Sequence, residues 1–245
     1  MLNDYKKGLR DGLPIALGYI SVSFAFGIQA TSAGLSPLMA TMISFFNLTS
    51  AGQLAGLSLM TSGASLAEMA ITQLTINMRY SLMSLSISQK LDSSMTTIHR
   101  ALIAFCNTDE VFVVASKQKG TIGKAYLYGL TNGPFLGWVL GTAIGAMSGN
   151  ILPENLINAL GIAIYGMFIA IIMPTFRKQK EVRFVVLIAV VMSCIFTFVT
   201  FFSFLTSGFR VIICAVLSSA LCAWIMPQRT ETIDVDTTKN EGDNK

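Results

Sequence analysis

Charge is scarce in this chain: Asp, Glu, Lys and Arg make up 12% of its 245 residues, about half of what a soluble domain carries. The single histidine, His99, leaves no His-based metal cluster and no His-dependent catalytic dyad. Cys106, Cys194, Cys214 and Cys222 all fall inside apolar runs and form no C-x-x-C pair, so neither a disulfide framework nor a metal site is expected. A G-x-x-x-x-G-K-[ST] phosphate loop is missing, which excludes a nucleotide-driven pump of that type. An intramembrane protease needs a Ser–His pair, a second intramembrane Asp or a zinc site, and none can be assembled here. The chain is therefore read as a non-enzyme without cofactor or metal. Its net charge of +4 comes from short basic clusters between apolar runs. That is the pattern of a positive-inside membrane topology, not of nucleic-acid binding.

What the chain has instead is apolar length, with 53% hydrophobic residues. Runs bounded by charge or by Gly and Pro divide it into eight segments: 13–31, 37–61, 66–89, 101–116, 125–148, 156–176, 184–206 and 209–226. Runs near 20 residues that are apolar all round cross a bilayer. The first run is too long for a typical signal-peptide core, and further spans follow it. The expected fold is all-α, a multi-pass protein of the cell (inner or plasma) membrane. About seven spanning helices and one short broken or re-entrant segment form a single transmembrane domain, residues 1–226. The polar stretch 227–245 is expected to be a disordered cytoplasmic tail.

Arg177, Lys178, Lys180 and Arg183 form the strongest basic cluster and are placed in the cytoplasm, which also puts Lys117, Lys119 and Lys124 there. Upstream, two arrangements stay open. If 101–116 spans, Lys6, Lys7 and Arg10 are inside but Lys90 and Arg100 outside. If it dips in and returns, Lys90 and Arg100 are inside and the N-terminus is outside. Each arrangement misplaces a few positive charges. A faint internal repeat accompanies this: Pro14, Gly18-Tyr19, Gly27, Gly34 and Pro37 recur in kind as Pro134, Gly137-Trp138, Gly145, Gly149 and Pro153. The segments that follow carry a central Gly52 and Gly166. Repeats with Gly-interrupted helices occur in secondary transporters.

Four charges lie within apolar segments: Glu68, Arg79, Asp109 and Glu110. Arg79 falls near the middle of 66–89, where a charge costs about 3 kcal/mol or more to insert, and so calls for an acid or a substrate carboxylate. Glu68, eleven residues earlier, sits about 16 Å away along a helix and reads as the last member of a capping box, Ser65-Leu66-Ala67-Glu68. Asn107-Thr108-Asp109-Glu110 likewise reads as a helix start in mid-run, with Asn107 as N-cap and Glu110 at the third helical position. A cap there implies two half-helices with a break, the kind of backbone that lines a cavity and binds ions or substrate. Because capping alone accounts for Glu110, the proton-carrying role leans towards Asp109. In 37–61, Gly52 and Gly56 have the spacing that lets helices approach closely, and Gln53 is expected to face a neighbouring helix or a cavity.

Taken together, these residues resemble the AzlC family, the large subunit of branched-chain amino acid exporters, over about residues 8–226. The resemblance rests on Gly12-Leu13-Pro14 through Gly18-Tyr19, Ala25-Phe26-Gly27, Gly34-Leu35-Ser36, Ala51-Gly52-Gln53 and Asn77-Met78-Arg79-Tyr80-Ser81-Leu82-Met83. It continues through Thr108-Asp109-Glu110-Val111-Phe112, Gly137-Trp138-Val139 with Gly141-Thr142 and Gly145, and Met167-Phe168-Ile169-Ala170. Leu48-Thr49-Ser50 and Tyr80 depart from the Phe-Ala-Gly and His common at those places. The resemblance implies export of leucine, isoleucine, valine and methionine, with a small AzlD-type membrane subunit as partner. Coupling to protons is the expected drive. Arg79, Asn77, Gln53 and Gly52 are the expected substrate contacts, and Asp109 and Glu110 the expected proton site. Rival readings are a passive channel for small solutes and a non-transporting membrane scaffold.

Overall fold

The computed structural model describes residues 2–148, 153–202 and 204–226. Ten α-helices follow in chain order: α1 (Leu2–Ser32), α2 (Pro37–Phe46), α3 (Ser50–Thr61), α4 (Leu66–Ser88), α5 (Thr97–Phe105), α6 (Asp109–Ser116), α7 (Lys124–Ser148), α8 (Glu154–Lys178), α9 (Lys180–Phe198) and α10 (Ser207–Ile225). A short 3₁₀ turn, Thr200–Phe202, precedes α10. Among the described residues the extended structure is one isolated bridge, Leu91 with Ile122. The all-α membrane class is therefore as expected. Residues 149–152 and the tail from 227 onward, and with them Gly149, lie outside the described residues.

The axis of the molecule is the pair α1–α7. The two helices run parallel and in register, so that Gly8 lies on Tyr126 and Leu130, Gly27 on Thr142 and Ala146, and Gly145 on Phe24. Glycines at every fourth position of α7 (129, 133, 137, 141, 145) make a smooth stripe that brings the backbones together. A Cβ on Gly145 would stand 2.0 Å from the Phe24 carbonyl oxygen. The faint repeat is thus physical over these two helices, and Tyr19 meets Trp138 edge-on at 5.1 Å. Pro37 and Pro153 each stand at the start of the helix that follows, and there the two halves diverge. Gly52 follows a break between two short helices, whereas Gly166 lies inside the unbroken α8.

Three apolar clusters fix the levels along this axis. One end joins Ile87, Met95, Ile103, Val111, Ala115, Ile122, Tyr126, Leu127 and Leu130. The opposite end joins Phe26, Ala30, Ala40, Leu57 and Ala146. Between them Leu48 packs with Tyr19 and Trp138. Helix α2 therefore starts at the far end with Ala40, reaches mid-depth at Leu48, and α3 carries Leu57 back to the far end. Likewise α5 rises from the near end through Ile103, and α6 returns to it through Val111 and Ala115. Each limb has 8–12 residues and so reaches about 12–18 Å, roughly half of a 30 Å hydrocarbon core.

The expected break in 101–116 is present, but the segment begins earlier, at Thr97. The segment 37–61, read as one span, is instead a second re-entrant hairpin. Asn47 and Thr49 explain it: the Asn47 carboxamide accepts the Thr49 N–H at 3.0 Å, a local bond that competes with helix continuation.

With both hairpins re-entrant, α1, α4, α7, α8, α9 and α10 run between the two ends. The dilemma over positive charges then disappears. Lys6, Lys7, Arg10, Lys90, Arg100, Lys117, Lys119 and Lys124 all gather at the near end, where Lys7 donates to the Gln118 side chain at 2.7 Å and Lys90 bonds the Ser116 and Gln118 carbonyls. Glu68, at the start of α4, meets the start of α10, and Cys222 near the other end of α10 lies against Glu181. The cluster from Arg177 to Arg183 therefore sits at the near end as well.

Candidate functional site

Helix α4 is the strut against which both hairpin tips close. Early along it, the Gln73 side-chain amide donates to the Gly52 backbone carbonyl at 2.8 Å, and the Asn77 side chain donates to Gln73 Oε1 at 3.1 Å. A Cβ at Gly52 would lie 2.1 Å from Thr49 Oγ1 and 2.8 Å from Gln73 Oε1, so a larger residue there would push these two side chains aside. Further along, Arg79 forms an ion pair with Asp109 at 2.9 Å, and Asn107 donates to Ser84 at 3.1 Å. The two tips, 47–49 and 106–108, therefore both lie against α4, and Tyr19 of α1 bridges them, packing on Leu48 of one and bonding Thr108 of the other.

Arg79 also donates to the Tyr80 hydroxyl at 3.0 Å, with its guanidinium 4.9 Å from that ring's centroid. The Arg79 and Asp109 side chains keep 49% and 32% of their surface open. At this depth lipid cannot solvate such a pair, so its open side faces water or another polar surface. Next to it, the Tyr19 hydroxyl of α1 donates to the Glu110 carboxylate and lies 2.7 Å from Thr108 Oγ1.

Gln53 is buried inside the first hairpin rather than beside Arg79. Its amide donates to Ser44 at 3.0 Å and to the Asn47 carbonyl at 2.7 Å, and Ser44 in turn meets Thr142 of α7 at 2.7 Å. This braces α2 against α3 and α7. Side-chain oxygens of Thr49, Gln53 and Asn107 at and beside the tips, and of Asn77 on α4, are buried with no partner among the described residues, a polar capacity that a bound ligand or water can use. Beside the tips an apolar cavity of about 390 Å³ is lined by Phe45, Phe46, Leu102, Phe105 and Phe135 among others.

Two local expectations are corrected. The N-cap of α6 is Thr108, not Asn107, and its side chain makes no capping bond. Asn107 is turned to Ser84 and Glu110, at the second helical position, to Tyr19, because both find stronger partners on neighbouring helices than the local backbone provides. For α4, Ser65 does cap, accepting the Glu68 N–H at 3.2 Å. The Glu68 carboxylate, however, serves a different helix: it accepts from the Thr206 hydroxyl and, at 3.1 Å, from the Gly208 N–H. Glu68 is a structural clamp on the N-terminus of α10, where a negative charge is favoured.

Tyr19, Gln73, Ser84, Ser44 and Thr142 were not singled out by the sequence as polar members of this site. For Tyr19 a signal existed, the Gly-aromatic pair that recurs as Gly137-Trp138. Ser44 and Thr142 are single hydroxyls in apolar runs and carry none.

Comparison with known proteins finds membrane proteins. Residues 14–152 match the family model described as AzlC protein. The chain is 30% identical to the inner membrane protein YgaZ of Escherichia coli K12 over 184 residues, covering 72% of this chain and 75% of that one. It is 33% identical over 181 residues to an uncharacterized membrane protein of Archaeoglobus fulgidus, covering 73% and 78% of the two chains. A Helicobacter pylori membrane protein matches at 22% identity over 80% of this chain and 89% of its own. No solved structure matches the chain. With the family model spanning more than half of its length, this chain belongs to the AzlC family of membrane proteins.

Proposed function

We propose that the chain is a secondary transporter that expels branched-chain or similar apolar amino acids, leucine, isoleucine, valine and methionine, from the cytoplasm. The observation that carries this reading is the Arg79–Asp109 ion pair, partly open, where two re-entrant hairpins from opposite ends meet. Broken helices that meet at mid-depth supply free backbone ends for a substrate, and each hairpin can close access from one end. A guanidinium has five donors in a fork that matches a carboxylate, so Arg79 can take the substrate carboxylate while still touching Asp109. The acid pair Asp109 and Glu110 supplies the proton-exchanging group. Asn77 and Gly52 line the first tip beside this position, and Gln53 holds that tip in shape.

The gathering of lysines and arginines at one end favours a cytoplasmic near end, with both chain termini on that side. The small AzlD-type subunit and the substrate class follow from the family resemblance. A passive channel and a scaffold predict different behaviour. The reading is tested by loading vesicles that contain the full chain, with and without the small membrane subunit, with labelled leucine. Efflux that rises with an imposed pH gradient and collapses with an uncoupler supports it. Flux that follows the leucine gradient alone means a channel, and no flux in either preparation means a scaffold.

A further inference from the structure

The tip of the first hairpin carries oxygens that no donor among the described residues satisfies. Helices α3, α4, α5, α6, α8, α9 and α10 each finish with the next backbone N–H bonded back into their last turn. Helix α2 does not: Asn47 is extended, and no backbone N–H beyond Phe46 returns to the helix. The last carbonyls of α2, at the negative end of its dipole, are therefore left open at mid-depth, where lipid supplies no donor. Thr49 stands at the start of α3 but makes no capping bond, and its hydroxyl oxygen is buried without a partner. Gln53, 1% exposed, uses its amide nitrogen on Ser44 and on the Asn47 carbonyl, which leaves its Oε1 unpartnered at this tip. Asn77 donates to Gln73 and keeps a buried, unpartnered Oδ1. Thr49 Oγ1, Gln73 Oε1 and the Asn77 amide converge on Gly52, all within 3.3 Å of where its Cβ would lie. Glycine keeps that space open.

We infer that the first hairpin tip binds a monovalent cation, an inorganic ion such as Na⁺ or the ammonium group of an amino acid, on Thr49 Oγ1, Gln53 Oε1, Asn77 Oδ1 and the last carbonyls of α2. The unmet groups are oxygens with lone pairs to give, and a positive charge is the ligand that such oxygens and a helix C-terminus favour together. Half-helix C-termini and unwound carbonyls take cations in this way in transporters built from broken helices. The donor set is neutral, which suits a single charge. Ca²⁺ and Mg²⁺ draw on carboxylates, and among the described residues no three of His, Cys, Asp and Glu stand together. The Arg79 charge, two residues along α4 from Asn77, is offset by Asp109. The tip thus complements the ion pair: Arg79 suits an anion, and the tip suits a cation. The inorganic-ion form stands independently of the transport reading above, and the ammonium form rests on it.

The test is thermal unfolding of the purified full chain in detergent. Choline is exchanged for Na⁺ or K⁺ at constant ionic strength, and leucine is compared with isocaproate, which is leucine without its ammonium group. A saturable rise in unfolding temperature with Na⁺ or K⁺ identifies the inorganic ion. A rise with leucine that isocaproate does not give identifies the ammonium group. In either case Thr49→Val, which keeps the side-chain shape and breaks no capping bond, should raise the half-maximal concentration by about 10-fold or more, the scale of one bond to a charged group. Asn77→Ala should do the same and serves where Thr49→Val does not fold. Gly18→Ala, with nothing within 4 Å of its added carbon, should match the wild type. No saturable rise with either salt, together with equal effects of leucine and isocaproate, overturns the inference, as does a half-maximal concentration unchanged in both tip variants. A rise with Na⁺ and none with leucine keeps the cation site while counting against the transport reading; leucine efflux from wild-type vesicles without any cation effect does the reverse.

Discussion

Tyr19 of α1 and Trp138 of α7 meet edge-on, ring centroids 5.1 Å apart, at the level where Leu48 of the first hairpin and Thr108 of the second both arrive. The contact joins the parallel helix pair to both hairpin tips. It also aims the Tyr19 hydroxyl at Glu110, so packing at the axis and polar chemistry at the site share one residue.

The first prediction concerns the path of the chain. In a background free of the four native cysteines, single cysteines at Leu35 and Ala64, which flank the first hairpin, should react with an impermeant thiol reagent from one side of the membrane. Cysteines at Ser94 and Gly120, which flank the second, should react from the other. If 37–61 crossed as one span, Leu35 and Ala64 would label from opposite sides.

The second concerns the axis. Gly145→Ala forces a methyl group against the Phe24 carbonyl, 2.0 Å from the ideal Cβ position. The variant should lose about 1–3 kcal/mol or more through overpacking, read as a lower unfolding temperature in detergent. Gly18→Ala meets nothing within 4 Å and should be neutral or slightly stabilising, because alanine is the better helix former by up to about 1 kcal/mol.

The third concerns the clamp between α4 and α10. Glu68→Ala removes the acceptor of the Thr206 hydroxyl and the Gly208 N–H and should cost about 1–2 kcal/mol, the scale of a lost N-cap. Gly208→Ala should be at least as damaging, since Glu68 Oε1 stands 2.6 Å from its added carbon. Thermal unfolding measures both. Pure transport residues would leave stability unchanged.

Much of the fold was legible because hydrophobic length and small-residue spacing are local signals. Most of the spans and the half-helix at Asp109 show in the sequence, and the recurring glycines of 125–148 show there as part of a repeat. The turn at Asn47-Leu48-Thr49 did not, because its hydrophobic flanks run on to a total of 25 residues, long enough to cross. It takes Ala40 and Leu57 meeting at one end to reveal the return. At the site, Arg79 and Asp109 were legible as charges where charge is expensive, while the sequence left an acid and a substrate carboxylate both open as the partner of Arg79, and the structure pairs it with Asp109. The partners of Glu68 and Glu110 were not, since each is more than ninety positions away and a nearby capping pattern offers a plausible local substitute.

The most direct measurement of the central claim is pH-gradient-driven leucine efflux from vesicles containing the full chain, wild type against Arg79→Leu and Arg79→Lys. Replacing Arg79 leaves Asp109 without its ion-pair partner and removes the planar fork that takes the substrate carboxylate. Arg79→Leu should therefore abolish efflux, and Arg79→Lys, which loses the planar fork, should keep only a small part of it, with both variants inserted and folded. Efflux by Arg79→Leu at the wild-type rate would contradict the account, because the ion pair at the meeting point of the hairpins would then have no part in moving substrate.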